Sequence, residues 1–245
     1  MLYSTLRKLA SHVSKTPFHP QWLMTVDNPL GKRQVGEEIG KGVLLDIGCS
    51  DQSLRQYISP ETSYIGLDYL TTASQLYETR PQIYADAQAL PFLAASVDTV
   101  TLLDVMEHIP DPSLALSEVF RVLKPNGRVV ISVPFIYPIH DAPFDFQRWT
   151  TYGIKKMVGD CKFNIEKEIA VGTPGQTAAL IACIGAVRST LEMLKSYNPI
   201  GLILLFFLPV FIPVVNGTGW AIGKVSGKDS IMPFSYKLIL VKPKG

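Results

Sequence analysis

The sequence predicts an α/β fold, a doubly wound parallel sheet with helices on both faces. Three observations carry that expectation. Short apolar runs alternate with helical stretches from Gly42 to Pro134. The runs are nearly continuous, as strands covered on both faces must be. Several end on Gly or Asp, at the carboxyl ends where ligands of such sheets sit.

The elements follow in order. VLLDI (43–47), SYIGLD (63–68), IYADA (83–87), VDTVTLLD (97–104) and GRVVISVP (127–134) read as strands. SLRQYI, TTASQLYE and PSLALSEVFRVLK lie between them as helices. The last is the clearest: Pro112 and Ser113 start it, Leu114, Leu116, Val119, Phe120 and Leu123 form its apolar face, and Asn126-Gly127 ends it. A helix near 150–159 and a strand over FNIEKEIAV (163–171) come next. FSYKLILVKPKG closes the chain with a final strand.

At 245 residues the chain is long enough to bury a core without staples. Charged residues are 18% and apolar ones 47%, with mean hydropathy +0.19. That excludes disorder and coiled coil and is greasy for an ordinary soluble enzyme. The net charge of +2 gives no field for nucleic acid. Cys49, Cys161 and Cys183 lie far apart, without metal-ligand spacing, which reads as a reducing, cytoplasmic setting with no disulfide frame and no metal site.

LYSTLRKLASHVSK interrupts its apolar residues with Arg7, Lys8 and Lys15, so it is not read as a secretory signal. Leu2, Leu6, Leu9 and Val13 form one helical stripe, expected to pack on the domain rather than on a membrane surface. The expected organisation is a helical cap over 1–40, a core over 41–172 and 233–245, and a hydrophobic helical insertion over 173–232.

Within that insertion Gln176–Ser196 reads as an amphipathic helix, with Leu180, Ile184, Val187, Leu191 and Leu194 on one face. Ser196–Gly223 then runs 28 residues without a charge. Ile200–Val215 supplies 16 apolar or small residues, broken by Pro209 and Pro213, short of the roughly 20 that span a bilayer. If 163–171 and 236–242 share a sheet, both flanks return to one side and a single crossing is excluded. A re-entrant hairpin, an interfacial pair of helices or a buried subdomain remains, with the prolines at a tip or kink. Tyr197 and Trp220, with Lys195 and Lys224 outside them, resemble interface anchors. Monotopic membrane contact is favoured over an internal core or a homodimer interface.

The strand tips carry the chemistry. Gly48 allows positive φ and close approach of a ligand to the main chain. Asp68 ends the second strand 22 residues after Asp46, where a carboxylate can accept both hydroxyls of a ribose. At Asp86-Ala87 a carboxylate can accept from an exocyclic amine. Three tip carboxylates suit a nucleoside with a cationic or amine end and repel phosphate.

LLDIGCS, GLD, ADAQALPF, VDTVTLLDVMEHIPDP and EVFRVLKPNGRVVISVP, in that order, resemble the successive motifs of class I S-adenosylmethionine-dependent methyltransferases, most closely the type 11 small-molecule group. The likeness covers about residues 40–150. It implies a Rossmann-like, seven-stranded, mostly parallel sheet with an antiparallel last strand, and S-adenosyl-L-methionine as cofactor. By the same likeness Asp46, Gly48, Cys49 and Ser50 lie at the methionine end. Asp68 and Tyr69 hold the ribose, Asp86 and Ala87 the adenine, and Leu103 and Asp104 line the floor near the sulfonium. The family usually has glycine where this chain has Ser50 and Gln52, and Gln52 is expected to narrow the pocket. A dinucleotide turn fits worse, since Ser50 and Ser53 stand where it needs glycine.

Methyl transfer from a sulfonium is an in-line displacement, so the protein positions the acceptor and, for oxygen, removes its proton. His108 borders the site, or caps the helix near Pro112. In IHDAPFDFQRWT (139–150) a His-x-x-Pro-x-Asp-Phe-x-Arg segment resembles bacterial methyltransferases of this group. His140 is the candidate base or orienter, Asp141 or Asp145 its partner, and Arg148 a candidate for an anionic substrate group. DVMEHIP lacks the Asp/Asn-Pro-Pro-aromatic motif of nucleobase amine methylation. The expected function is methyl transfer to a small, hydrophobic or lipid-linked acceptor; the alternatives are an inactive binding relative and a membrane scaffold.

Overall fold

The computed structural model describes residues 13–26, 28, 31–226 and 231–244. The stripe through Leu2, Leu6 and Leu9 lies outside the described residues. Two compact units divide the chain: a sheet unit of Leu30–Phe135, Ile139–Ala170 and Ser235–Gly245, and a helical unit of Met1–Pro29, Ile136–Pro138 and Val171–Phe234. The sequence expectation drew its first boundary later, at residue 40; helix α1 (Lys32–Glu38) groups with the sheet unit.

The sheet has seven strands in the order β3-β2-β1-β4-β5-β7-β6. They are β1 (Gly42–Ile47), β2 (Thr62–Asp68), β3 (Ile83–Tyr84), β4 (Val97–Leu103), β5 (Leu123–Pro134), β6 (Asn164–Val171) and β7 (Ser235–Val241). β1 pairs in parallel with β2 and β4, β2 with β3, and β4 with β5. β7 runs antiparallel to β5, from Arg128 opposite Val241 to Pro134 opposite Ser235. This is the Rossmann-like, seven-stranded arrangement with an antiparallel last strand. Leu44, Leu45, Val100, Leu102, Val129 and Ile131 are all buried, so the central strands are covered on both faces as their unbroken apolar runs require.

Three expected elements change form. β3 stops at Tyr84 rather than residue 87, because Asp86 turns the chain: its Oδ1 accepts the Gln88 N–H at 2.8 Å and its carbonyl accepts the Ala89 N–H at 3.0 Å. The helices expected after β1 and β2 are a 3₁₀ segment (Ser53–Tyr57) and a π-type segment (Thr72–Tyr77). The helix after β4 forms as its caps dictate. In α2 (Pro112–Val122) the Asp111 side chain accepts from Ser113 and Leu114 N–H, each at 3.1 Å, and Pro112 sits where no N–H is needed. Asp111, not His108, is therefore its cap. Helix α3 (Thr151–Asp160) is capped by Thr150.

In the helical unit, α4 (Pro174–Lys195) opens with a capping box of Thr173 and Gln176 and α5 (Ile200–Val225) follows. They pack as an antiparallel hairpin. A Cβ on Gly219 would stand 2.4 Å from Ala179 Cβ, and one on Gly201 3.0 Å from Met193 Cβ. Pro209 and Pro213 are neither tip nor hairpin turn; both lie inside the continuous α5. The turn falls instead at Tyr197–Pro199, where Tyr197 takes φ +56 and Asn198 Oδ1 accepts the Ile200 N–H at 3.0 Å. Asn216, fully buried, donates its amide to the Pro17 and His19 carbonyls at 2.7 and 2.9 Å. The other face of α5 is bare, with Ile203 57%, Phe206 80%, Phe207 56% and Val210 65% exposed.

Candidate active site

The carboxyl ends of β1, β2, β3 and β4 meet at a cavity of about 370 Å³, within the usual range for small-ligand clefts. Its lining includes Asp46, Gly48, Cys49, Ser50, Asp68, Tyr69, Asp86, Ala87, Leu103, Asp104, His108 and Asp141. Every cofactor residue expected from the sequence is thus brought to one wall. Lys32 from α1, Tyr77 from the π segment, and Phe144 and Phe146 also line it. The sequence reading did not single out these four: Lys32 and Tyr77 lie outside every motif, and in the 139–150 segment only the polar residues were taken as candidates.

At the first tip, Gly48 takes φ +71 and a Cβ there would lie 2.3 Å from Val105 Cγ2. The Gly48 and Cys49 N–H groups donate to the Leu67 carbonyl at 2.8 and 3.1 Å. Ser50 and Gln52 take φ of 46 and 55, the left-handed region where glycine costs least. The expected narrowing by Gln52 does not occur: its side chain turns away to donate to the Arg80 carbonyl at 2.9 Å and does not line the cavity.

Asp46 is buried and spoken for, with Tyr64 Oη donating to Oδ2 at 2.7 Å and Thr101 Oγ1 to Oδ1 at 2.6 Å. Burial raises its pKa, against those hydrogen bonds. It braces β1 to β2 and β4. Asp68 accepts the Tyr69 N–H at 2.8 Å and the Thr72 hydroxyl at 3.0 Å on Oδ1, and the Ser50 N–H at 2.9 Å on Oδ2. The Thr72 hydroxyl has one hydrogen and lies equally 3.0 Å from the Tyr69 carbonyl, so Asp68 keeps an open acceptor site on Oδ2 and, with that hydrogen on the carbonyl, a second on Oδ1. Asp86 accepts the Gln88 side-chain amide at 3.1 and 3.2 Å. Asp104, at φ +56, accepts the Ser132 hydroxyl at 2.9 Å.

Beside the cavity stands a polar cluster. Glu107, fully buried in the 3₁₀ turn Met106–His108, has neither carboxylate oxygen in a hydrogen bond. His108 Nε2 lies 3.8 Å from Glu107 Oε1, and His140 Nε2 3.7 Å from the same atom. The two rings stand edge to face, 4.8 Å apart. Glu107 holds the His140 imidazolium above its ordinary pKa, and burial raises that of Glu107 itself. Sequence reasoning passed over Glu107; its signal was an acid directly before His108 in a turn at a strand tip.

The loop 139–150 divides the expected partners of His140. Asp145 Oδ2 lies 3.3 Å from His140 Nδ1 and accepts the His140 N–H at 2.9 Å. Asp141 turns elsewhere and accepts from the Tyr77 hydroxyl. Arg148 is corrected in position. Its guanidinium is clamped on Asp145, Nη2 to Oδ2 at 2.7 Å, and neither residue lines the cavity. Against the penalty of burial, Arg148 and His140 hold the Asp145 carboxyl below its usual range. A substrate anion would have to compete with that bidentate pair.

The fold and the acid-lined tip cavity define a class I methyltransferase domain. Residues 45–131 match the family model described as a methyltransferase domain and are a methyltransferase domain of the type 11 group. The chain is 32% identical over 110 residues to demethylmenaquinone methyltransferase of Lactococcus lactis, covering 40% of this chain and 44% of that one. It is 30% identical over 118 residues to ubiquinone biosynthesis O-methyltransferase of Pseudomonas fluorescens, covering 43% and 50%. The chain thus spans at most half the length of these curated relatives. The methyltransferase solved with the Haloferax volcanii Trm112 methyltransferase activator shares the fold, at TM-score 0.54 and 14% identity, covering 97% of this chain and 95% of that one.

The cofactor of the class is S-adenosyl-L-methionine, and the donor set suits it. Asp46, Asp68, Asp86, Asp104 and Asp141 face the cavity against a single lysine, Lys32. A ligand bearing a sulfonium and an ammonium is favoured there and a phosphate is not.

Proposed function

We propose that this chain transfers the methyl group of S-adenosyl-L-methionine to a hydroxyl of a small, hydrophobic or lipid-linked acceptor. The observation that carries the reading is the ring of tip carboxylates around one cavity, with the Glu107–His108–His140 cluster at its edge.

When bound, the cofactor supplies an electrophilic methyl on sulfur. Asp68 takes a ribose hydroxyl on its open Oδ2, and Asp86 takes the adenine amine in place of the Gln88 amide. Cys49 and Ser50 would hold the methionine end, and Leu103 and Asp104 would line the floor of the site. The histidine cluster would take the proton of the acceptor hydroxyl, and the cofactor would supply the methyl in its place, its carbon–sulfur electrons staying on sulfur. His140, oriented by Asp145, and His108 are the proton-handling groups. The quinone-pathway relatives support a small acceptor of this kind.

The bare face of α5 supports membrane contact. Its most apolar window has mean hydropathy 2.3 and is 17% buried, and its 26 residues reach about 39 Å at 1.5 Å each. The chain leaves the sheet after β6 and re-enters it at the neighbouring β7, as a monotopic hairpin requires. The protein is then cytoplasmic and membrane-associated, drawing its acceptor from the bilayer.

Labelled S-adenosylmethionine incubated with the protein and a bacterial lipid extract tests the activity: label is expected in an apolar product, and its absence with every extract contradicts the reading. Vesicle flotation tests the placement. The full chain is expected to float, and a chain lacking 198–222 that floats equally well contradicts it.

A further inference from the structure

The geometry points to a divalent metal site of the zinc class, formed by Glu107, His108 and His140, that binds the acceptor oxygen beside the cofactor cavity. The site itself stands on side-chain geometry alone; its catalytic use rests on the methyl-transfer reading.

Glu107 is the first reason. A fully buried carboxylate with both oxygens unbonded costs several kcal/mol unless a cation or donor meets it. The two histidine Nε2 atoms do not meet it as donors, since 3.7 and 3.8 Å exceed any N–H···O bond. Those separations fit a shared ion instead. Arms of 2.0–2.2 Å at the tetrahedral angle set two donors of one ion about 3.3–3.6 Å apart. All three donor atoms lie within 4.8 Å of one another, so closing about one ångström brings the widest pair into range.

The outer bonds are the second reason. His108 Nδ1 lies 2.8 Å from the Phe144 carbonyl, an acceptor only, so Nδ1 carries the proton and the Nε2 lone pair faces Glu107. His140 Nδ1 faces Asp145 Oδ2 at 3.3 Å; Arg148 Nη2 is also 3.3 Å from that nitrogen and donates to Asp145 at 2.7 Å. A carbonyl behind one imidazole and a carboxylate behind the other is how metal-bound histidines are oriented.

Two histidines and one carboxylate are a set that binds zinc-like ions and leaves a coordination position open. His108 lines the cavity, which gives that position access to the acceptor. A bound cation lowers the pKa of the coordinated hydroxyl, as it does that of water. With the cation bound, both imidazoles are ligands rather than bases, so the acceptor proton goes to solvent in place of the histidines before the oxygen meets the methyl, and an acceptor with two adjacent oxygens gains most.

The test uses the untagged full chain, stripped with chelator and titrated with Co²⁺ as a spectroscopic probe. One equivalent is expected to bind, with visible ligand-field bands. Losing even a group behind a ligand typically costs about 10–100-fold, so removing a direct donor by Glu107→Gln or His140→Gln is expected to weaken binding at least tenfold. Binding of S-adenosylhomocysteine in the same samples reports that the variants are folded and tests the methyltransferase reading separately. No saturable equivalent in the wild type, or equal affinity in both variants, overturns the metal site while leaving methyl transfer untouched.

Discussion

The Ser50 N–H donates to Asp68 Oδ2 over 2.9 Å, tying the loop after β1 to the tip of β2. This bond shapes the mouth of the cavity and leaves one acceptor site on Asp68 Oδ2. Asp68→Asn removes the charge and sets an amide NH2 against one of the two backbone donors that Asp68 accepts, the Ser50 or the Tyr69 N–H. A hydrogen bond to a charged group is worth about 1.5–3 kcal/mol, so S-adenosylhomocysteine is expected to bind roughly 10- to 100-fold more weakly. Calorimetric titration reads this, and an unchanged affinity contradicts the assignment of Asp68 to the ribose.

Ser50 and Gln52 occupy left-handed backbone, where glycine costs least. Ser50→Gly relieves about 1–2 kcal/mol of strain and gives back about 0.5–1 kcal/mol in chain entropy. Its urea midpoint is expected to stay level or rise, with cofactor affinity unchanged. Gly48→Ala is the opposite case: its Cβ would meet Val105 Cγ2 at 2.3 Å at φ +71, and a loss of about 1–3 kcal/mol is expected. A destabilised Ser50→Gly would show that the serine side chain carries the turn.

Lys237 on β7 is buried, and burial pushes its pKa down from 10.5 to about 8, against the pull of Asp104. Between these two values the unfolded chain holds more protons than the folded one, so stability rises with pH across that window. Below pH about 8 the whole cost is present, on the order of 3 kcal/mol. Lys237→Met is expected to raise the midpoint at pH 7 and to lose that advantage by pH about 10.5. Urea melts at three pH values check it; a pH-independent difference contradicts the titration.

Gly219 lets α5 lie against Ala179 of α4, where a Cβ would come within 2.4 Å. Gly219→Ala is expected to part the hairpin at a cost of about 1–3 kcal/mol, read by the fluorescence of neighbouring Trp220. Unchanged stability would mean that the helices slide freely.

The sheet was legible because its strands are continuous apolar runs such as VLLDI and VDTVTLL, and burial on both faces demands that pattern. The tip acids were legible for a related reason, since a charge ending an apolar strand has no place in the core. Asp86 shows where reading by pattern stops. IYADA alternates like a strand, yet the Asp86 side chain bonds ahead to Gln88 and the strand ends three residues early. Pro209 and Pro213 misled for a different reason. A proline breaks a helix mainly through lost backbone bonds and crowding, and neighbouring helices and local adjustment offset that cost in apolar helices. Nor could the metal donors be found by spacing, since Glu107 and His108 lie on one turn and His140 on a loop 32 residues away.

Titration calorimetry with S-adenosylhomocysteine, repeated in the presence of NADH and of ATP, tests the acid-ringed cavity most directly. One saturable equivalent, undisturbed by either phosphate-bearing nucleotide, is the expected result. Heats no greater than dilution, or displacement by ATP, would contradict it.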